Sequence, residues 1–352
     1  MAESALPPAH SSSTRAALLV LALPLALVVA LVLATMVGSV SIPPQETVQI
    51  LLHRLGLPGE ATWPTTDQTI IWEVRLPRVI AAALVGGALG VAGTLFQAVL
   101  RNPLADPYVI GTSAGAQLGV AIALVLPAEV AFLGFGSIQL LAFIGALATV
   151  LFVYTIARTG GRTPVITLLL AGFVVSSFLI SGTSFLLSAT NRMNQVMTWT
   201  MGSMDVSDLK QLATTGPLMF LAAGLSYLLS PRLDVVLLGE EQAAHLGVRV
   251  ERLKLVCIVL ASLLTALAVT LAGVVAFVGL VVPHTARLIY GPRHRILIPA
   301  AACGGAVFVV AADALSRLVL APTVVPLGAV TALVGAPFFL HLLRRSRRDY
   351  AV

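Results

Sequence analysis

Residues 79–100 run for 22 positions without a charged side chain, about the length a helix needs to cross the hydrocarbon of a bilayer. Four glycines lie inside that run: Gly86, Gly87, Gly90 and Gly93. In a water-exposed helix each would cost about 1 kcal/mol relative to alanine. In a membrane small residues let helices approach backbone to backbone, and Gly86 with Gly90 has the GxxxG spacing that favours this. The next apolar stretch carries Gly111, Gly115 and Gly119, spaced to line one face of a helix. Between the two stretches sits RNPLADP, residues 101–107. Its two prolines forbid a continuous helix, and its polar side chains need water or protein partners. The pattern predicts a glycine-packed helical hairpin with a polar elbow at a membrane surface.

The rest of the chain repeats the theme. Hydrophobic residues make up 58% and charged residues 10%, against about 25% charged in soluble domains. An all-α, polytopic membrane protein follows. Apolar runs near 16–39, 78–99, 108–126, 137–157, 165–188, 211–229, 253–272, 274–290, 296–316 and 325–343 predict ten spans. The eighth is the least defined, because 253–290 is nearly continuous and only Gly273 and Gly279, with Pro283 further along, interrupt it. The first run is longer than the roughly 7–15 residues of a signal-peptide core, which predicts an uncleaved membrane helix. The net charge of +6 is spread singly between apolar runs, unlike the basic patch of a nucleic-acid binder. Assigned to alternate loops, the basic residues divide 14 to 6 in favour of the N-terminal side, Arg287 being unassigned within a span. The positive-inside rule then puts both termini in the cytoplasm. The expected organisation is a tail at 1–15, a membrane domain at 16–343 with a cytoplasmic loop at 231–254, and a tail at 344–352.

Nothing in the chain has the layout of an active site. The six histidines are scattered without metal-ligand spacing, and Cys257 and Cys303 lie inside apolar runs as inert thiols. Both lysines, Lys210 and Lys254, follow leucine, so no phosphate-binding GxxxxGK[ST] loop exists and the chain does not hydrolyse ATP through one. The loop at 231–254 holds a short candidate helix. Glu240 and Glu241 suit its first turn, and Gly247 suits a left-handed stop. Such a helix either rests Ala243 and Leu246 on the bundle or offers an apolar knob to a partner. Asp313 and Arg317 have ion-pair spacing within a helix. Arg75 and Arg78 fit either snorkelling anchors or an acid-recognising patch.

The ordered segments RLPR (75–78), RNPLADP (101–107), GTSAGA (111–116), LLLAG (168–172), WTMGS (199–203), LGEEQAAHLGV (238–248), FVGLVVPHTAR (277–287), GPRHR (291–295), ADALSR (312–317) and VPLG (325–328) resemble the FecCD family. These are membrane permeases of type II ABC importers for iron-siderophores, haem and vitamin B12. The resemblance implies a homodimer of ten-helix subunits in the bacterial cytoplasmic membrane, with a translocation path on the dimer axis. It also implies two cytoplasmic ATPase subunits, which bind the ATP and Mg so that this chain needs no cofactor, and an external substrate-binding protein. By the same resemblance Leu238, Gly239, Glu240, Glu241, Ala243, Ala244, Leu246 and Gly247 couple to the ATPase. Arg75, Arg78 and Arg317 receive acidic knobs of the binding protein, and Asn102, Pro103 and Leu104 form the cytoplasmic gate. Pro164, Val165 and Ile166 are apolar where the vitamin B12 permease has small hydroxyl residues, a departure at the second gate. The family serves ferric siderophores most often, which makes one the first expectation, with haem and B12 as alternatives. A reading of another class, an ion-coupled secondary transporter, needs ionisable residues near the bilayer midplane. Only Asp313 and Arg287 come near enough to raise it.

Overall fold

The computed structural model describes residues 11–346 except 39, 59–61, 127–131, 133–134, 191, 205–208 and 322. Residues 1–10 and 347–352 of the expected tails lie outside the described residues. Among the described residues every regular element is a helix. In order these are α1 (Ser11–Met36), α2 (Pro44–Arg54), α3 (Thr65–Thr69), α4 (Leu76–Val99), α5 (Thr112–Val125), α6 (Ser137–Ala157), α7 (Val165–Thr190) and α8 (Met193–Thr200). There follow α9 (Leu209–Leu228), α10 (Ser230–Val236), α11 (Glu240–His245), α12 (Val250–Ala272), α13 (Val278–Tyr290), α14 (His294–Leu318) and α15 (Leu327–Ser346). A π-helical turn, Ile70–Arg75, joins α3 to α4 without a break.

Helix α4 is the centre of the bundle. It packs most extensively against α14, then α12, α13 and α9. Its glycines are the reason. A Cβ at Gly86 would overlap the carbonyl oxygen of Gly305, one at Gly90 that of Ala301, and one at Gly93 that of Gly279. The contact is reciprocal, since a Cβ at Gly305 would strike the Gly86 carbonyl. The two backbones thus touch directly, and buried alanine, valine and leucine side chains of α4, α12 and α14 close around the seam. A second pair, α5 on α6, uses the same device through Gly115, Gly119 and Gly145.

Each of the ten predicted runs contains a helix, but their lengths differ. Five of the helices are long and apolar enough to cross a membrane, and a sixth is counted if α9 and α10, bent by 48°, form one span. Helices α5 and α13, at 14 and 13 residues, reach only about 20 Å at 1.5 Å per residue, short of a bilayer core of about 30 Å. The reason lies in two breaks. Gly111 has φ of 90° and stands before α5 as a left-handed residue, outside the helix but still in close contact, since a Cβ there would meet Thr149 of α6 and Ser176 of α7 at 3.0 Å. After α12, Gly273 with φ of 66° and Phe277 with φ of 68° turn the chain out of helix. Gly273 is thus the break in 253–290, whereas Gly279 and Pro283 lie inside α13.

Replacing Gly90 or Gly305 by valine should force α4 and α14 apart and cost about 1–3 kcal/mol each. The check is thermal unfolding of the detergent-solubilised chain, with Gly224→Val as control, because nothing lies within 4 Å of that position. Equal melting of the Gly90, Gly305 and Gly224 variants would remove the backbone seam as the organising contact.

Candidate functional site

Two ends of the bundle carry the polar residues. At the first, Asp313 of α14 is wholly buried between two arginines. Arg78 Nε donates to its Oδ1 at 2.9 Å, and Arg317 Nε lies 3.1 Å from its Oδ2. The i, i+4 spacing of Asp313 and Arg317 therefore does make an ion pair, and Arg78 arrives from α4 to complete a triad. Arg317 also donates to the carbonyls of Ala34, at 3.1 Å, and Val37. Arg75 donates to those of Thr35 at 3.3 Å, Met36 at 3.2 Å and Val40. The last turn of α1 leaves carbonyls without helical partners, and cations suit that end of the helix dipole. Both guanidiniums are consumed there, at 5% and 6% exposure.

Both are expected to receive a binding protein, and in the single chain neither guanidinium faces outward. They seal the end of α1 instead, and sequence spacing had no means of pairing them with carbonyls 35 to 283 positions away. Arg78 keeps a side chain 20% exposed and is the one of the three with a surface to offer.

The opposite end holds the 101–107 elbow and the 231–254 loop. Arg101 takes φ of 49°, which turns the chain sharply out of α4. Asn102 Oδ1 accepts from Leu104 N–H at 2.9 Å, and Asp106 Oδ1 from Tyr108 N–H at 2.8 Å, so two Asx turns satisfy backbone that no helix serves. Desolvation pushes the Asp106 carboxyl up to about 6, against the pull of the Tyr108 amide. Leu104 is exposed, Pro103 half-buried and Asn102 exposed. Tyr108 Oη contacts Val275 N and O at 3.3 and 3.4 Å, which ties the elbow to the break before α13. Gln97 was not singled out from sequence. Its Nε2 lies 3.5 Å from the carbonyl of Gly279, the one that the missing N–H of Pro283 leaves unpaired, and 3.1 Å from that of Leu280. A lone glutamine in a glycine-rich apolar run was the available signal.

Helix α11 forms where its signals put it. Gly247 N bonds Ala244 O and Val248 N bonds Ala243 O, both at 3.0 Å, with Gly247 at φ of 84°: a full Schellman stop. Of the eight coupling residues, Ala243 is fully buried on the bundle, whereas Leu238 and Leu246 are both 64% exposed. Glu241, Ala244 and Gly247 are exposed, while Gly239 and Glu240 are half-buried. Lys254 of α12 bonds Glu240 at 2.7 Å and Glu251 at 3.1 Å, and Glu251 accepts from Thr163 N at 3.0 Å. Those bonds lash α11 to α12 and to the loop before α7. A cleft of about 1020 Å³ runs beside α11 and includes Arg101, Arg162 and Leu238, so the start of the elbow and Leu238 share one surface.

Among the described residues no group of three or more His, Cys, Asp or Glu could hold a metal ion. The bundle combines a broken hairpin, a sealed arginine end and a lashed external helix with five or six apolar helices long enough to cross a bilayer, the make-up of an integral membrane protein. The comparison with known proteins agrees: residues 26–345 match the FecCD transport family, and the chain belongs to that family. It is 42% identical over 282 residues to the cobalamin import system permease protein of Halobacterium salinarum, covering 80% of this chain and 75% of that one. With the hemin transport system permease protein of Yersinia pestis it shares 38% over 302 residues, covering 84% and 90%. With the Fe(3+) dicitrate transport system permease protein of Escherichia coli it shares 38% over 279 residues, covering 79% and 86%. A solved chain described as a metal-chelate type ABC transporter in an inward-facing conformation superposes with a TM-score of 0.79 at 27% identity, over 93% of this chain and 99% of that one.

Asp313→Asn should leave buried Arg317 and half-buried Arg78 without their counter-ion and cost about 3–5 kcal/mol, read as loss of unfolding midpoint in mixed micelles. Arg78→Gln should cost less than half of that, because Arg317 still faces Asp313. Equal losses would mean that Asp313 is not the shared counter-ion.

Proposed function

We propose that two copies of this chain form the membrane path of an ATP-driven importer that moves a metal chelate inward. The observation that carries the reading is the bare face of α7. Ser177, Ser181, Ser184 and Ser188 recur at helical spacing on it, all exposed, between exposed Phe173, Phe178 and Phe185. Each hydroxyl donates to a carbonyl three or four residues back, which leaves oxygen lone pairs facing outward. Four hydroxyls in one stripe suit the wall of a path for a polar chelate, which can use the remaining lone pairs as acceptors. A second copy placed against α7 would enclose it, which supports the homodimer.

The ten-helix topology with both termini cytoplasmic is part of the proposal, and so are the domain limits of 16–343 and the two tails. The elbow end then faces the cytoplasm. There Leu238 and Leu246 are the apolar knobs for the ATPase subunits, and Gly239, Glu240, Glu241, Ala243, Ala244 and Gly247 hold them in place. The Lys254 bridge makes α11 move with α12, so closure of the ATPase reaches the bundle. Asn102, Pro103 and Leu104 are the inner gate, and Arg78 is the contact for an acidic binding protein. ATP and Mg belong to the ATPase. A ferric siderophore is the first substrate, with haem and cobalamin next, as relatives for cobalamin, hemin and ferric dicitrate all resemble the chain. An ion-coupled mechanism is disfavoured, because Asp313 is already neutralised between two arginines at one end of the bundle.

Leu246→Glu should lower ATPase-subunit binding roughly thirtyfold, the loss of a buried interface anchor, with the permease still folded. Co-purification at unchanged affinity would remove α11 as the coupling element. Separately, Ser177→Leu with Ser181→Leu should cut chelate uptake into proteoliposomes at least about tenfold while the ATPase subunits stay bound. Unchanged uptake would take α7 off the path.

A further inference from the structure

We infer that a basic cleft where α9, α10 and α12 meet is a binding site for an anionic phospholipid. The cleft has a volume of about 410 Å³ and opens at the elbow end. Three arginines line it: Arg232 of α10, Arg249 just before α12, and Arg252 in the first turn of α12. All three are exposed, and none makes an ion pair among the described residues. Glu241 makes no ion pair among the described residues and shares the adjoining cleft with Arg249 and Arg252, while the other three nearby acids are engaged elsewhere. Glu240 and Glu251 bond Lys254, and Asp234 bonds His294 at 2.8 Å. Three like charges around one cleft repel one another until an anion enters, and guanidinium forks match phosphate oxygens in pairs. The uncapped N-terminus of α12 adds its dipole to the same point.

The apolar half of the site says which kind of anion. Leu229, Leu246, Leu253 and Val256 form the wall of the cleft, with Gly247 and Val248 on its α11 side, so the Leu246 knob proposed for the ATPase borders the lipid site. Below them, exposed Leu225 and Leu228 of α9 and exposed Val256 and Val259 of α12 continue along the two helices. Arg252, Val256 and Val259 fall on one face of α12 at helical spacing, with Arg249 at the cap before it. That face is cationic where the helix begins and aliphatic along its length. A phosphodiester headgroup fits under the arginines and its acyl chains fit along the α9–α12 seam, the arrangement of basic pockets at membrane level. A soluble phosphate or an acidic protein segment makes no use of the aliphatic seam.

The test is native mass spectrometry of the full-length chain relipidated in equal parts phosphatidylglycerol and phosphatidylcholine. The wild type should retain phosphatidylglycerol over phosphatidylcholine by about tenfold or more. The variant Arg232→Gln, Arg249→Gln, Arg252→Gln should lose that preference while melting unchanged in phosphatidylcholine. Should the triple variant not fold, Arg232→Gln alone should lower the preference about threefold. Absence of a preference in the wild type overturns the site, and so does a preference that survives either substitution. A triple variant that keeps its lipid preference but loses the ATPase subunit also overturns it, since the cleft would then be a protein contact.

Discussion

The backbone contact between α4 and α14 is the constraint on which the other features depend. With Gly86 against Gly305 and Gly90 against Ala301, the two helices cannot slide without a clash of main chains. In lipid no hydrophobic force separates one apolar helix from another, so close packing must hold the bundle. That fixed axis brings Arg78 of α4 and Asp313 of α14 together at one end. Near the other end, Gly93 and Gln97 of α4 meet α13 and so set the position of the elbow.

Several polar side chains sit where backbone is left open. Arg75 and Arg317 answer the carbonyls that end α1, and Gln97 answers those in α13. Asn102 and Asp106 answer amides within the elbow. In a medium without water each of these groups would otherwise cost several kcal/mol, on the order of a lost hydrogen bond in hydrocarbon. The exposed serines of α7 are the exception, as their outward lone pairs serve no backbone. This contrast is why α7, and not the arginine end, carries the functional reading.

Much of this was legible in the sequence, for reasons that are local. Apolar runs place helices because length and charge are local properties, and Gly247 stops α11 because a left-handed stop needs only its own residue. Gly86 and Gly90 packed as their spacing said. The breaks at Gly111 and 273–277 were harder to read, because hydropathy sums composition and does not register a turn inside an apolar stretch. The burial of Arg75 and Arg317 was not legible at all. Their partners are main-chain carbonyls of a distant helix, which carry no side-chain signature. The direction of Ala243 into the bundle and of Leu246 away from it likewise depends on how α11 is lashed to Lys254.

If the proposed coupling through α11 is right, this chain moves its cargo only when an ATPase acts on it. The decisive measurement is uptake of a ferric siderophore into proteoliposomes that hold the permease, its ATPase subunits and its binding protein, with ionophores present to collapse all cation gradients. Uptake should then require ATP and persist with the gradients abolished. Uptake driven by a cation gradient in vesicles lacking the ATPase would rule the coupling out.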